Sequence, residues 1–121
     1  MNFILECLDE NYYYLVKKDK KLFEKDSKNQ IIEIFENEKF GRVLRLDKSF
    51  QTSENDEYMY HEPIVHVPLI THPKPEKILI IGGGDGGSLK QTLKHKIVKR
   101  ADMVEIDEEV VEVSKKYLSK I

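Results

Sequence analysis

A glycine-rich run that follows a short apolar segment constrains the fold more than any other feature of the sequence. Ile78–Ile81 is continuously apolar, and Gly82–Gly87 then holds five of the chain's six glycines around Asp85. The run fits G-x-G-x-x-G, in which glycines allow a tight turn and a close approach of the backbone to a ligand. The pattern predicts a buried parallel strand, a ligand-binding loop and a helix, in that order.

The residues after the loop repeat the alternation of helix and strand. A leucine pair at i, i+4 predicts a helix from Ser88 to about Lys96, and Met103–Ile106 predicts a second strand. Asp107 is a favourable N-cap for a last helix. Residues 77–121 are therefore expected to form the first βαβα of a Rossmann-like domain of the class I methyltransferase type. Because doubly wound sheets have five or six strands, the domain is expected to be truncated, as the front part of a larger protein.

The N-terminal part has a different pattern. Short segments rich in aromatic and β-branched residues, such as residues 12–16, 31–35 and 43–46, are separated by polar turns. They predict about five antiparallel strands in a small sheet or barrel, over residues 1–53.

A helix and a linker are predicted over residues 54–76. The Ser-x-x-acid spacing of Ser53–Asp56 indicates a helix start near Glu54. Pro63 and Pro68 are expected to stop or kink this helix near His61, because each proline removes a backbone donor.

Composition excludes several classes of protein. The chain has 20 basic and 22 acidic residues, a net charge of −2 and 40% hydrophobic residues, which argues against disorder and against nucleic acid as a partner. No apolar run approaches the roughly 20 residues of a membrane span. The N-terminus lacks the features of a signal peptide, and a lone cysteine, Cys7, suits a reducing compartment. We therefore expect a cytoplasmic protein without a membrane partner.

Two acidic residues indicate the ligand class. Glu105 closes the second strand, 18 residues after Gly87, where an acid accepts hydrogen bonds from ribose hydroxyls. A dinucleotide would place its pyrophosphate against the glycine loop, and the carboxylate of Asp85 would repel it. The same carboxylate attracts a sulfonium or an ammonium group. The loop therefore favours an adenosyl-sulfonium ligand over NAD.

The wider pattern resembles the spermidine synthase family of polyamine aminopropyltransferases, from about Glu24 to Ile121. The motifs that carry the resemblance occur in one order and spacing: Gly41–Leu44, Leu46-Asp47, Gln51-Thr52, Asp56–Tyr58, Tyr60–Glu62, His66–Leu69, the glycine loop and Val104–Asp107. The resemblance implies an N-terminal β domain, a Rossmann-like domain that binds decarboxylated S-adenosylmethionine, and transfer of its aminopropyl group to putrescine. It also implies a homo-oligomer, either a dimer or a tetramer.

The resemblance also implies roles for particular residues. Glu105 would hold the ribose hydroxyls, and Asp85 would bind the amino group of the aminopropyl arm. Gln30 would contact the nucleoside, while Tyr60 and His61 would line the channel for the amine. The remaining implied residues are Gly82, Gly84 and Gly86 in the donor loop, and Gln51 near the same cleft.

No catalytic residue, metal or cofactor is expected in this chain, since decarboxylated S-adenosylmethionine is a co-substrate. The resemblance implies a catalytic aspartate and a gate loop that come after the matched part in the family's sequences and are not in this chain. The chain alone is therefore expected to be inactive. His66, His72 and His95 do not have the spacing of metal ligands.

Two departures from the family pattern and three alternatives remain. Lys48 stands where the family has a turn glycine, so a different turn is expected there. Pro63 follows close on His61 and is expected to shift it. The alternatives are an S-adenosylmethionine-dependent methyltransferase such as a putrescine methyltransferase, an NAD enzyme that shares the loop, and a non-catalytic truncated fragment.

Overall fold

A computed structural model describes residues 2–121, which form two compact units that divide between Asn55 and Asp56. The first unit contains only strands, and the second alternates helices and strands. Both parts of the predicted fold class, an antiparallel β domain and a partial Rossmann-like segment, are therefore confirmed. The helix predicted between them falls in the second unit.

The first unit is built from two antiparallel sheets. A hairpin forms the smaller sheet, and the larger has four strands in sequence order. The strands are β1 (Phe3–Asp9) and β2 (Tyr12–Lys17) in the hairpin, then β3 (Lys20–Asp26), β4 (Ile31–Asn37), β5 (Gly41–Leu46) and β6 (Ser49–Ser53).

There are thus six strands rather than the five or so predicted, and the sequence pattern of β1 explains the difference. The two buried positions of β1 are Ile4 and Glu6, so a carboxylate interrupts its apolar alternation. Glu6 accepts a hydrogen bond of 2.9 Å from the backbone N–H of Phe50, which satisfies its buried oxygen.

The core of the first unit lies on the two central strands of the larger sheet. Ile32, Ile34 and Phe35 on β4 are almost completely buried, as is Leu44 on β5. Each such side chain contributes roughly 1.5–3 kcal/mol relative to an exposed one. This core explains why β4 and β5 were recognisable as apolar segments.

The turn between β5 and β6 keeps its tight form despite the lysine. Asp47 and Lys48 have φ values of 48° and 70°, the left-handed pair that a type I′ hairpin turn requires. The Arg45 guanidinium donates a hydrogen bond of 2.6 Å to the carbonyl of Lys48, and Asp47 Oδ1 accepts one of 2.8 Å from the N–H of Ile31. These bonds hold Lys48 in a conformation that lysine disfavours.

The second unit contains a parallel strand pair and three helices. In order, these are α1 (Tyr58–Thr71), β7 (Lys77–Ile81), α2 (Gly87–Leu93), β8 (Arg100–Val104) and α3 (Glu108–Tyr117). β7 and β8 pair in parallel, and α3 begins at the predicted cap, where the Asp107 carboxylate accepts from the N–H of Glu109 at 3.1 Å. α2 ends at Leu93 rather than near Lys96, because the N–H of Lys94 and that of His95 already form tighter turn bonds to Gln91 and Thr92.

The start of α1 differs from the prediction. The helix begins at Tyr58, not near Glu54, because Glu54 pairs with β5 instead. Its backbone N–H donates to the carbonyl of Arg42 at 3.0 Å, and its carboxylate accepts from the N–H of Arg42 at 3.1 Å. The Ser-x-x-acid spacing therefore belongs to the end of the β domain.

The two prolines do not end α1. The helix continues through Pro63 and Pro68, both of which are exposed, as far as Thr71. Each proline removes one backbone donor, yet the helix closes with a 3.0 Å bond from the N–H of His72 to the carbonyl of Pro68. A stop near His61, one of the two predicted effects of the prolines, is therefore wrong, and the other, a kink there, stays a prediction.

One face of the β7–β8 pair lacks a covering layer within residues 2–121. Three apolar residues there are largely exposed: Leu79 at 62%, Ile81 at 84% and Ile106 at 85%. The continuous apolar strand was expected to have helices on both faces, and here only one face is covered. No helix in the described part of the chain is long and apolar enough to cross a membrane.

The positive φ of Lys48 predicts that Lys48→Gly stabilises the first unit. Glycine relieves left-handed strain of about 1–2 kcal/mol and costs some unfolded-state entropy, so we expect a net gain of roughly 0.5–1 kcal/mol. Native-state hydrogen exchange of the β5 amides measures this gain. Lys20→Gly, in an extended strand, should instead destabilise the unit; equal effects of both substitutions would contradict the prediction.

Candidate active site

The glycine loop between β7 and α2 has a backbone that only glycine adopts readily. Gly82, Gly83 and Gly86 have φ values of 79°, 77° and 89°. The N–H of Gly82 donates to the carbonyl of Val104 at 2.8 Å, so the loop starts at the carboxyl edge of the strand pair. Ligands of α/β sheets bind at this edge.

Glu105 lies beside this loop, directly after β8. Its Oε2 accepts a hydrogen bond of 3.0 Å from the N–H of Gly84, and its Oε1 accepts one of 3.1 Å from the N–H of Asp107. A Cβ atom on Gly84 would lie 2.9 Å from the carboxylate, so the contact depends on glycine. The predicted strand-end acid and the predicted loop therefore meet.

Asp85 places a negative charge at the first turn of α2. Its side chain is 16% exposed, and its Oδ1 accepts a hydrogen bond of 2.7 Å from the N–H of Gly87. This amide, which could otherwise donate to a phosphate, is used by the protein's own carboxylate.

His61 lies buried between two carboxylates. Its Nδ1 is 2.6 Å from Oε2 of Glu57, and its Nε2 is 3.3 Å from Oδ1 of Asp85. On the far side of Glu57, Lys90 Nζ is 3.5 Å from Oε1. When His61 is protonated, the charges alternate along these contacts, in the order Lys90, Glu57, His61 and Asp85.

The protonation equilibria of His61 and Asp85 shift in opposite directions. Burial lowers the pKa of His61, but the hydrogen bonds and charges of Asp85 and Glu57 raise it by more, so the net pKa lies above 6.5. Burial raises the pKa of Asp85, while His61 and the N–H of Gly87 lower it by more, so the net pKa lies below 3.8. The geometry thus favours an imidazolium beside an ionised aspartate.

Two residues of this cluster were not identified from the sequence as part of the site. A Cβ atom on Gly87 would overlap the ring of His61, so this glycine is needed for packing as well as for the loop. Glu57 was assigned no role, although its i, i+4 spacing to His61 on a helix was a usable signal.

The other predicted site residues differ in their surroundings. Tyr60 is 62% exposed, and its ring meets that of His61 edge to face with centroids 5.4 Å apart, so it is not a core residue. Gln30 is half-buried before β4, and Gln51 is exposed on β6, where its amide donates to the carbonyl of Ser49 at 3.3 Å. Both glutamines lie in the first unit, and their roles stay predictions.

The two pKa shifts predict how pH affects the contribution of Asp85 to stability. The raised pKa of His61 gives stability that is present below 6.5 and lost as pH rises through the folded-state value. The lowered pKa of Asp85 gives stability that is present above 3.8 and lost as pH falls through its folded-state value. Asp85→Asn should therefore destabilise the chain most between pH 3.8 and pH 6.5, where both groups are charged, and less at alkaline pH.

Denaturant unfolding across this pH range measures the effect. Asp102→Asn, an exposed aspartate on β8, serves as the control and should show no such pH dependence. An Asp85→Asn effect that stays constant up to alkaline pH would contradict the charged pair.

Comparisons with known families match both units. Residues 57–121 match the family described as "Spermine/spermidine synthase domain", and residues 5–54 match "Spermidine synthase tetramerisation domain". The polyamine aminopropyltransferase of Methanocaldococcus jannaschii is 51% identical over 83% of this chain and 34% of its own length. That of Bacillus subtilis is 47% identical over 93% of this chain and 41% of its own.

Solved structures agree with these matches. The crystal structure of spermidine synthase from Thermotoga maritima superposes with a TM-score of 0.93 at 43% identity, over 98% of this chain and 42% of that one. A spermidine synthase in complex with the transition state analogue AdoDATO gives a TM-score of 0.88 at 45% identity, over 91% of this chain and 38% of that one. The chain belongs to the spermidine synthase family of polyamine aminopropyltransferases and spans about two fifths of the length of the relatives it matches.

Proposed function

We propose that this chain holds part of the donor site of a spermidine synthase. In this proposal it binds decarboxylated S-adenosylmethionine, whose aminopropyl group the whole enzyme transfers to putrescine. The observation that carries the proposal is the carboxylate of Asp85 inside the glycine loop, which already accepts a hydrogen bond from the N–H of Gly87. The same contacts lower the pKa of Asp85, which favours its ionised form. Such a loop suits a ligand with a sulfonium and an ammonium, and it disfavours a pyrophosphate.

The proposed role of Glu105 is to bind the ribose. The backbone N–H groups of Gly84 and Asp107 donate to the Glu105 carboxylate and hold it at the carboxyl edge of the strands. Each carboxylate oxygen has a further lone pair that can accept from a hydroxyl. Tyr60, exposed beside His61, is proposed to line the amine channel. As the family resemblance implies, Gln30 is proposed to contact the nucleoside, and Gln51 is proposed to lie near the same ligand cleft.

The reaction proposed for the whole enzyme is a displacement at the carbon next to the sulfonium. The nitrogen of putrescine forms the new C–N bond, the C–S bond breaks, and methylthioadenosine leaves with the electron pair. Because an amine with a pKa near 10 is protonated at neutral pH, it must first lose a proton to a base. The family's base is not among residues 1–121, so we propose that this chain binds the donor without turning it over.

We also propose that the protein is a homo-oligomer, a dimer or a tetramer, located in the cytoplasm. The β1–β2 hairpin exposes about half or more of the surface of several large apolar side chains: Phe3, Leu5, Tyr12, Tyr13 and Leu15. Apolar surface of this kind is typical of an interface. The exposed free thiol of Cys7 suits a reducing compartment.

Binding by an Asp85→Asn variant tests the proposed donor site. Decarboxylated S-adenosylmethionine carries two positive charges, whereas methylthioadenosine carries none. The substitution should weaken binding of the charged ligand about 10- to 100-fold, as expected for 1.5–3 kcal/mol from a charged hydrogen bond, and should leave methylthioadenosine nearly unaffected. Isothermal titration calorimetry measures both affinities.

Asp102→Asn is the matched control, because it removes an exposed carboxylate from β8 without touching the loop. Equal weakening of both ligands by Asp85→Asn would contradict the role of Asp85 as a cation site. Binding of S-adenosylmethionine more tightly than its decarboxylated form would favour a methyltransferase instead. The absence of binding by any adenosyl ligand would favour a non-catalytic fragment.

A further inference from the structure

Glu57 has surroundings that its position at the start of α1 does not explain. It is the N-cap residue of the helix, a position where the short side chains of Ser, Thr, Asp or Asn commonly accept a hydrogen bond from the first backbone N–H groups. The Glu57 side chain makes no such cap bond and contacts His61 at 2.6 Å instead. Only 8% of this side chain is exposed, so its charge is costly unless it is compensated.

Each nitrogen of the His61 ring faces a carboxylate oxygen, Nδ1 at 2.6 Å and Nε2 at 3.3 Å. Nδ1 faces Glu57 and Nε2 faces Asp85, and an ionised carboxylate can only accept hydrogen bonds. A ring that carries one proton could donate to only one of the two. The pair of carboxylates therefore selects the doubly protonated ring and fixes its orientation.

Asp85 is in turn fixed from two directions. Its Oδ1 accepts from the N–H of Gly87 at 2.7 Å and lies 3.3 Å from Nε2 of His61, so this oxygen has two partners within the protein. Within residues 2–121, Oδ2 of Asp85 makes no hydrogen bond. Oδ2 is thus the oxygen that can meet a cationic ligand.

We infer that Glu57 is a positioning residue for Asp85 and acts through His61. Its negative charge keeps the ring of His61 doubly protonated, and the ring keeps Asp85 ionised and in one orientation, with Oδ2 left for the cationic group of the donor. This inference rests on the proposed function only in naming that cation. Lys90, Glu57, His61 and Asp85 form a series of alternating charges. Its exposed end is Lys90, which lies against Glu57 and is 40% exposed.

The charged groups that surround His61 come from three elements. Glu57 adjoins α1, Asp85 belongs to the glycine loop, and Lys90 lies on α2 beyond Glu57. Removing the charge of Glu57 would leave two cations, Lys90 and protonated His61, with Asp85 alone. His61 would then lose its proton more easily, and Asp85 would lose its cationic neighbour.

A Glu57→Gln variant of the 121-residue chain, compared with Glu62→Gln, tests the inference by NMR. Glu62 is exposed on the same helix, next to His61, so its substitution controls for a general loss of negative charge. We expect Glu57→Gln to move the titration of the His61 ring nitrogens to lower pH and that of the Asp85 carboxyl to higher pH. Glu62→Gln should change neither titration.

The same variants report on ligand binding. Glu57→Gln should weaken binding of decarboxylated S-adenosylmethionine by about 10-fold, no more than the loss of the Asp85 charge itself, and should change binding of methylthioadenosine by less than about twofold. If the wild-type chain binds no methylthioadenosine, the proposed donor site is wrong. The titrations of His61 and Asp85 still decide the role of Glu57 in that case, because they need no ligand. Titrations that coincide with those of the wild type would overturn the inference.

A second variant keeps the test decisive if Glu57→Gln does not fold. Lys90→Met removes the cation at the exposed end of the series and leaves the three buried groups in place. His61 should then titrate at higher pH, opposite in direction to the effect of Glu57→Gln. An unchanged titration, or one at lower pH, would contradict the coupling through Glu57.

Discussion

The bond between the Asp85 carboxylate and the N–H of Gly87 is the interaction on which the rest of the site depends. It places a negative charge where a phosphate-binding loop would offer a free amide. The contact requires the backbone of the loop to turn sharply, which the positive φ values of Gly82 and Gly86 permit. It also brings Gly87 so close to His61 that no side chain fits there. Loop conformation, ligand preference and the packing of α1 on α2 are thus linked at one point.

Burial of several charges near this bond is tolerated because the charges alternate. A single buried ion costs several kcal/mol, and removal of one partner from a buried pair is strongly destabilising. In the series Lys90, Glu57, His61 and Asp85, each inner group faces an opposite charge on either side. The series joins α1 to the loop and α2 by polar contacts, in a unit that buries few apolar side chains. The polar cluster therefore has a structural role as well as a proposed functional one.

Much of the fold and part of the site could be predicted from the sequence because the signals are local. The glycine loop follows its strand directly, and Asp107 caps α3 from one residue before the helix. The start of α1 could not be predicted, since Glu54 bonds to the backbone of Arg42, twelve residues away. Gly87 was missed for the same reason, because its importance depends on His61, which only the folded chain brings against the loop. Glu57 differs, since its i, i+4 spacing to His61 is a local signal.

We propose that the loop selects a positively charged sulfur nucleoside and rejects a pyrophosphate. Calorimetric titration of the purified chain with decarboxylated S-adenosylmethionine and with NAD, at one pH and ionic strength, tests it most directly. We expect measurable binding of the sulfonium nucleoside and no binding of NAD at the same concentrations. Tight binding of NAD with no response to the adenosyl ligand would contradict it.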